Sequence, residues 1–204
     1  MINLRENKRY LFLGFFFIFI QIVAILRNIL SDYYNFFWFC DFISIFIAIF
    51  FFLKKEDLIK AVVNIGLLAQ LIFLVGIISS TFFGFSFLDS LPQNYSLFYF
   101  LSSVLIHLSV TFALILTYKI KPTIKTLFYS IIMLFCMYFV ALFFTNPEQG
   151  INYVFSSKSL FSLIIPHYTQ LWVPLTFIMV VLPTQLIQYL IYRKFMKGSK
   201  SKKK

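Results

Sequence analysis

This chain of 204 residues is 61% hydrophobic and only 12% charged, with a mean hydropathy of +0.89 and a formal net charge of +11. Soluble domains carry roughly a quarter of their residues charged, so the composition excludes one. The positive charge sits at the ends of apolar runs, where it acts as an orientation signal, and it leaves no case for nucleic acid as a partner.

Six apolar runs follow one another, at residues 10–30, 36–53, 58–79, 97–118, 124–144 and 171–192. Each is close to the ~17–25 residues that a helix needs to cross the hydrocarbon core. Backbone groups in lipid have to be bonded internally, and runs this long without period-two alternation are helices rather than barrel strands. The predicted fold is therefore all-α: a polytopic membrane protein of six transmembrane helices, with residues 1–204 as one integral membrane domain ending in a basic tail at 193–204. The first run has no small-residue cleavage site after it, so it reads as a retained span rather than a removed signal peptide.

Of the eighteen Lys and Arg residues, sixteen fall on one side of that threading. Arg5, Lys8 and Arg9 precede the first run, Lys54, Lys55 and Lys60 follow the second, Lys119, Lys121 and Lys125 follow the fourth, and seven more run from Arg193 to Lys204. Only Arg27 and Lys158 lie on the other side. Basic residues near span ends stay in the cytoplasm, which predicts that both termini are cytoplasmic. The tail is a stop signal that would also attract anionic lipid headgroups, at up to about 1 kcal/mol per charge. Membrane lipid is the expected partner, and oligomeric state is left open. The 30 Phe residues, with frequent Ile, Lys, Asn and Tyr, match A/T-rich codons, which points to the cytoplasmic membrane of a bacterium. On that reading the Phe runs 15–17 and 50–52 are lipid-facing filler.

Polar residues inside apolar runs are costly and mark interior sites. Spans one and three carry Gln21, Asn64 and Gln70; span two opens on Trp38, Cys40 and Asp41; span four carries Ser102, Ser103, His107, Ser109 and Thr111; span six carries Gln185 and Gln188. The connections between spans one to three and between spans four and five are short, which predicts antiparallel neighbours. Two loops are longer. One, over 84–96, holds Asp89, Pro92 and Asn94; the other, over 145–170, holds Asn146-Pro147-Glu148, Asn152 and Pro166-His167. The polar residues of spans two and four converge on the outer half, where the second loop would close over them.

Asp41 requires a partner, a proton or water: it either bridges elements in a cavity or pairs with Arg27 near the outer interface. His107 either hydrogen-bonds to a neighbouring helix or serves as general base, proton carrier or ligand. Counting about 1.5 Å per residue, Cys40 lies about 6 Å and His107 about 15 Å below the outer span ends. Three chemistries can use this set. Cys40 as nucleophile with His107 as base, oriented by Asp41, supports acyl transfer or ester hydrolysis. Relay through Asp41 and His107 supports transport, and a binding or scaffold role needs no chemistry at all. A metal site would have to recruit His167, which otherwise reads as a loop residue; no metal or other cofactor is expected. The other cysteine, Cys136, reads as packing, and neither cysteine has zinc-type spacing.

Trp38-Phe39-Cys40-Asp41 opening a span, Ile106-His107 in a later one, and Asn146-Pro147-Glu148-Gln149-Gly150-Ile151-Asn152-Tyr153-Val154 after the fifth resemble a group of uncharacterised bacterial integral membrane proteins. Their pattern is Trp-Phe-Cys-Asp, Phe-His and Pro-Glu-x-Asn-Ile-Asn-Trp-Val; here Ile106, Gly150 and Tyr153 depart from it. More distantly, the order of an outer Cys, a later intramembrane His and an Asn-Tyr pair is similar to the YwaF-like membrane proteins and to the androgen-induced fatty-acid-ester hydrolases and their acyltransferase relatives. That resemblance implies a lipid or fatty-acyl ester hydrolase or acyltransferase with Cys40 as nucleophile and His107 as base. Trp38, Glu148, Asn152 and His167 would line or cover the site.

The charge division makes sidedness testable. Single cysteines at Ser90 and Ser157, in a background lacking Cys40 and Cys136, should be labelled in intact cells by an impermeant thiol reagent, and one at Ser199 should not. The opposite pattern would invert the topology.

Overall fold

The computed structural model describes residues 4–31, 33–84, 96–155 and 165–201, and among them every regular element is a helix or helical turn. The helices are α1 (Leu4–Ile29), α2 (Phe39–Phe52), α3 (Glu56–Phe83), α4 (Leu97–Leu116) and α5 (Ile124–Phe144). A sixth rod is built from α6 (Tyr168–Thr176), one π-helical turn (Phe177–Val181) and α7 (Leu182–Ser201). Five of the six rods are long and apolar enough to cross a membrane, as the hydropathy pattern predicts.

The exception is α2. It has 14 residues, which span about 21 Å against a hydrocarbon core of about 30 Å. Tyr33–Phe37 form a 3₁₀ turn, and Trp38 is extended at φ −71°, ψ 132°, so the helix starts later than the predicted 36. Its two ends nonetheless register with both ends of α1. Asp41 pairs with Arg27, and Lys54 donates to Asn7, so α2 returns along nearly the whole of its neighbour.

At the centre stands α3. From Ile59 to Leu67 its residues are buried without interruption, because α2, α4, α5 and the last rod all pack on it. Gly66 lets two of them come close: a Cβ there would lie 2.8 Å from Ile43 Cδ1 and 2.9 Å from Val110 Cγ2. The predicted pairing of spans four and five is not what forms. Instead, α5 docks on α3, held by polar stitches across the seam. Asp57 accepts from the hydroxyls of Thr123 (2.8 Å) and Thr126 (3.2 Å), and Asn64 donates to Ser130 Oγ at 3.2 Å. The last rod joins the same seam, where Gln185 Oε1 accepts from Asn64 at 2.8 Å and Gln188 Nε2 donates to Asn64 Oδ1 at 2.6 Å.

The Phe runs are only partly filler. Phe15 is 64% exposed on the apolar outside, but Phe17 and Phe51 are buried and stack on each other at 5.5 Å. Consecutive helix residues point about 100° apart, so a run of three sweeps about 200° and at least one member turns inward. Cys136 is exposed on the outside of α5, away from the polar residues named above. Asp89, Pro92, Asn94 and Lys158 lie outside the described residues.

One residue in the half nearer the two termini, the predicted inner half, stands out. Lys60 is 0% exposed, and its Nζ has no hydrogen-bond partner among the described residues. The neighbouring carboxylates are engaged elsewhere, Glu56 by the Tyr10 hydroxyl and Asp57 by the two threonines. An enclosed cation with no hydrogen bond, and only the through-space attraction of Glu56, opposes folding, and a flexible thioether of similar length would fill the same space without that cost. Lys60→Met should therefore stabilise the protein by on the order of 1–4 kcal/mol. In purified protein this would appear as a melting temperature raised by roughly 2–4 °C per kcal/mol; a lowered one would show that the ammonium is satisfied.

Candidate functional site

The half away from the termini, the predicted outer half, holds a second polar cluster, centred on Arg27 in the last turn of α1. Arg27 is 5% exposed and Asp41 2%, and together they form the one ion pair found among the described residues. The guanidinium also donates to Asn28 Oδ1 at 3.0 and 3.1 Å and to Ser103 Oγ at 3.1 Å, and it lies 5.5 Å from the centre of the Tyr99 ring. One side chain thus ties α1 to α2 and α4. Of the two sequence readings of Asp41, pairing with Arg27 is the one that forms, but in a buried position rather than at a wet interface.

Below it, Gln21 of α1 completes the seam with α2. Its amide nitrogen donates to the Asp41 carbonyl at 2.9 Å, and its oxygen accepts from Ile45 N at 3.1 Å. On α4, the Ser103 carbonyl accepts from His107 Nδ1 at 2.7 Å. A carbonyl oxygen can only accept, so the ring proton is on Nδ1, and in the neutral imidazole Nε2 then carries the lone pair. That nitrogen is buried and has no hydrogen-bond partner among the described residues. The ring stacks on Phe73 of α3 with centroids 5.5 Å apart.

Phe73 belongs to an aromatic trio with Trp38 and Tyr153, at centroid separations of 5.5 to 6.0 Å. Tyr153 arrives on the loop after α5, which folds into two 3₁₀ turns, Pro147–Gln149 and Ile151–Tyr153. Gly150, Asn152 and Tyr153 all have positive φ, between 52° and 59°. For Asn this conformation is tolerated, whereas for Tyr it is strained and persists only because its surroundings hold it. The holding contact is visible. Asn152 Oδ1 accepts from Phe39 N at 2.8 Å, and its Nδ2 donates to the Phe37 carbonyl at 3.1 Å. The loop therefore satisfies an orphan backbone donor at the start of α2 that no local side chain caps.

The three segments that carry the family resemblance consequently meet in space: Trp38 to Asp41, His107, and Asn152-Tyr153. Not every candidate residue joins them. Cys40 is half-buried, and its thiol lies 3.8 Å from Asp41 Oδ2, with no hydrogen bond to His107. Asp41 and His107 are linked through Arg27 and Ser103. Glu148 and His167 are exposed on the loop; Glu148 N is bonded to the Asn146 side chain, and His167 occupies the left-handed position that precedes α6. Among the described residues no group of three or more His, Cys, Asp or Glu side chains is arranged to hold a metal. Sequence reasoning missed Phe73, which is one aromatic among many, and undervalued Arg27. Its signal was there: one of only two basic residues on the wrong side of the charge division, and the one at a span end, needs an acid nearby.

Comparison of the chain with protein-family models, with curated proteins and with solved structures gave no match.

A buried ion pair is costly to break and cheap to replace as a unit. Arg27→Met or Asp41→Leu alone should lower stability by about 3–5 kcal/mol, because each strands a buried charge, while the double variant should recover most of the loss. Melting curves of the four proteins in one detergent test this; additive losses would mean that the two side chains act independently.

Proposed function

We propose that this protein binds an amphipathic, hydroxyl-bearing lipid in the outer half of the membrane, with His107 Nε2 as the acceptor for the lipid hydroxyl. The observation that carries the reading is the Nδ1 bond to the Ser103 carbonyl, which leaves Nε2 as a buried acceptor without a partner beside the aromatic trio. A buried acceptor left unmatched is unfavourable, and a ligand that brings an O–H into an apolar setting relieves it. Trp38, Phe73 and Tyr153 offer ring faces and edges to the glycerol backbone or acyl chain, and ligand sites of this kind pair apolar walls with one or two fixed polar groups. Asn152 holds Tyr153 in place, so loop and α2 form one wall.

A second reading keeps the same ligand class and adds chemistry: hydrolysis or transfer of a lipid acyl ester. Cys40 belongs to the same bonded chain as His107, through Asp41, Arg27 and Ser103. In this mechanism the thiol leaves Asp41, gives its proton to His107 Nε2, and attacks the ester carbonyl; the imidazolium protonates the departing alkoxide, and water or an acceptor hydroxyl, deprotonated by His107, then takes the acyl group from Cys40, which recovers its proton. An acyl-thioester probe labelling Cys40 in a His107-dependent manner would support it. Absence of labelling in a protein that binds lipid would leave the binding reading alone.

The binding reading predicts that purified protein retains 1-monooleoylglycerol in native mass spectrometry more strongly than the analogue with both hydroxyls methylated. His107→Phe keeps a ring against Phe73 but removes the acceptor, and should weaken the preferred ligand about five- to tenfold. Equal retention of both lipids, or an unaffected His107→Phe protein, would overturn the proposal.

A further inference from the structure

The opposite face of the bundle holds a cleft that the outer site does not use. It encloses about 260 Å³ between the start of α1, the end of α2, the start of α3 and the end of α4. Arg9 and Lys119 are exposed at its mouth, and Tyr10, Glu56 and Thr117 line it together with the apolar Leu13, Phe51 and Leu116. Arg9 is held in place. Arg9 Nη2 donates to the Leu116 carbonyl at 2.9 Å, a C-terminal helix carbonyl that would otherwise lack a partner, and Lys119 Nζ lies 5.5 Å from the centre of the Tyr118 ring. The Arg9 bond uses one N–H and leaves the remaining guanidinium donors for a ligand.

We propose that this cleft is a headgroup site for a phospholipid whose net charge of −1 is that of its phosphodiester. Arg9 and Lys119 would receive the phosphate, and the apolar side chains would receive the glycerol backbone and the first methylenes. The mixed lining, exposed cations beside Leu13, Phe51 and Leu116, suits a lipid rather than a free anion, because an unattached phosphate gains nothing from the apolar side chains. Basic pockets between helices at a membrane surface recognise such headgroups. The cleft also contains Glu56, whose carboxylate accepts from the Tyr10 hydroxyl. Its charge opposes a headgroup with a second phosphate, which sets the preference for a single negative charge. This site is independent of the His107 site, on different helix ends, so either can fail without the other.

The test is native mass spectrometry of the full chain titrated with phosphatidylglycerol, phosphatidylcholine and a lipid carrying an additional phosphate monoester. One equivalent of phosphatidylglycerol should be retained in preference to both others. The pair Arg9→Gln with Lys119→Gln should bind it roughly thirtyfold more weakly, the effect of removing two charges at a leaflet surface. Lys55→Gln with Lys125→Gln removes the same charge from elsewhere on the basic face and should change binding little. Leu13→Trp, which narrows the cleft without altering charge, should also weaken binding, and glycerol phosphate without acyl chains should not compete. Equal losses from the two charge-removing pairs would reduce the effect to diffuse surface charge, and competition by glycerol phosphate would make the site one for a free anion. Either result, or a lack of preference for phosphatidylglycerol, would overturn the proposal.

Discussion

The outer half of the bundle depends on one buried charge pair. Arg27 and Asp41 lie where water is scarce, so neither can be left alone, and each further acceptor that the guanidinium recruits comes from a different element. Asn28 holds the head of the side chain from its own helix, Asp41 brings the start of α2, and Ser103 brings α4. Ser103 then passes the constraint one turn deeper, because its carbonyl fixes the tautomer and direction of His107. The chemistry available at His107 therefore originates in the register of three helices rather than in the histidine itself.

The inner half is organised on a different principle. There the stitches are mostly neutral amides and hydroxyls, Asn64, Ser130, Gln185 and Gln188, with Asp57 as an acceptor for two threonines. In lipid, apolar surface gives helices little reason to prefer one another over acyl chains, so hydrogen bonds of this kind and close backbone approach select the partners. This explains why α5 leaves its chain neighbour α4 and packs on α3. It also explains why a loop too short to span the bundle does not dictate which helices touch: α3 is adjacent to both.

Much of this architecture was legible in the chain. Length of apolar run and the period of basic residues suffice for five membrane-length rods, because the bilayer imposes both. The start of α2 was not legible, because the apolar run continues unbroken from Phe36 through Trp38 into the helix and what fixes the start is Asn152, more than a hundred residues away. Trp38, Asp41, His107 and Asn152 could be singled out as residues that are unusual in lipid. Their joining through Arg27, Ser103 and Phe73 could not, since Ser and Phe are common in such helices and only the packing distinguishes these two. For Glu148 and His167 the opposite holds: they look informative in a sparse alphabet of polar residues, and the fold leaves them exposed.

The π turn in the last rod sets how that rod is read from either end. A π turn accommodates one residue more than an α-helix would over the same rise, and it lies between Pro174 and Pro183, each of which lacks the N–H that would otherwise continue the α-helical ladder. One added residue turns everything beyond it by about 100°. Trp172 and Val173, before the turn, face the apolar cluster beside α5, whereas Gln185 and Gln188, after it, face the amides of α3. The single rod thus turns an apolar upper part and a polar lower part to one seam, that between α3 and α5, where Gln185 also donates to the Thr123 carbonyl. Without the added residue the two glutamines would be turned by about 100° from the position in which they meet Asn64.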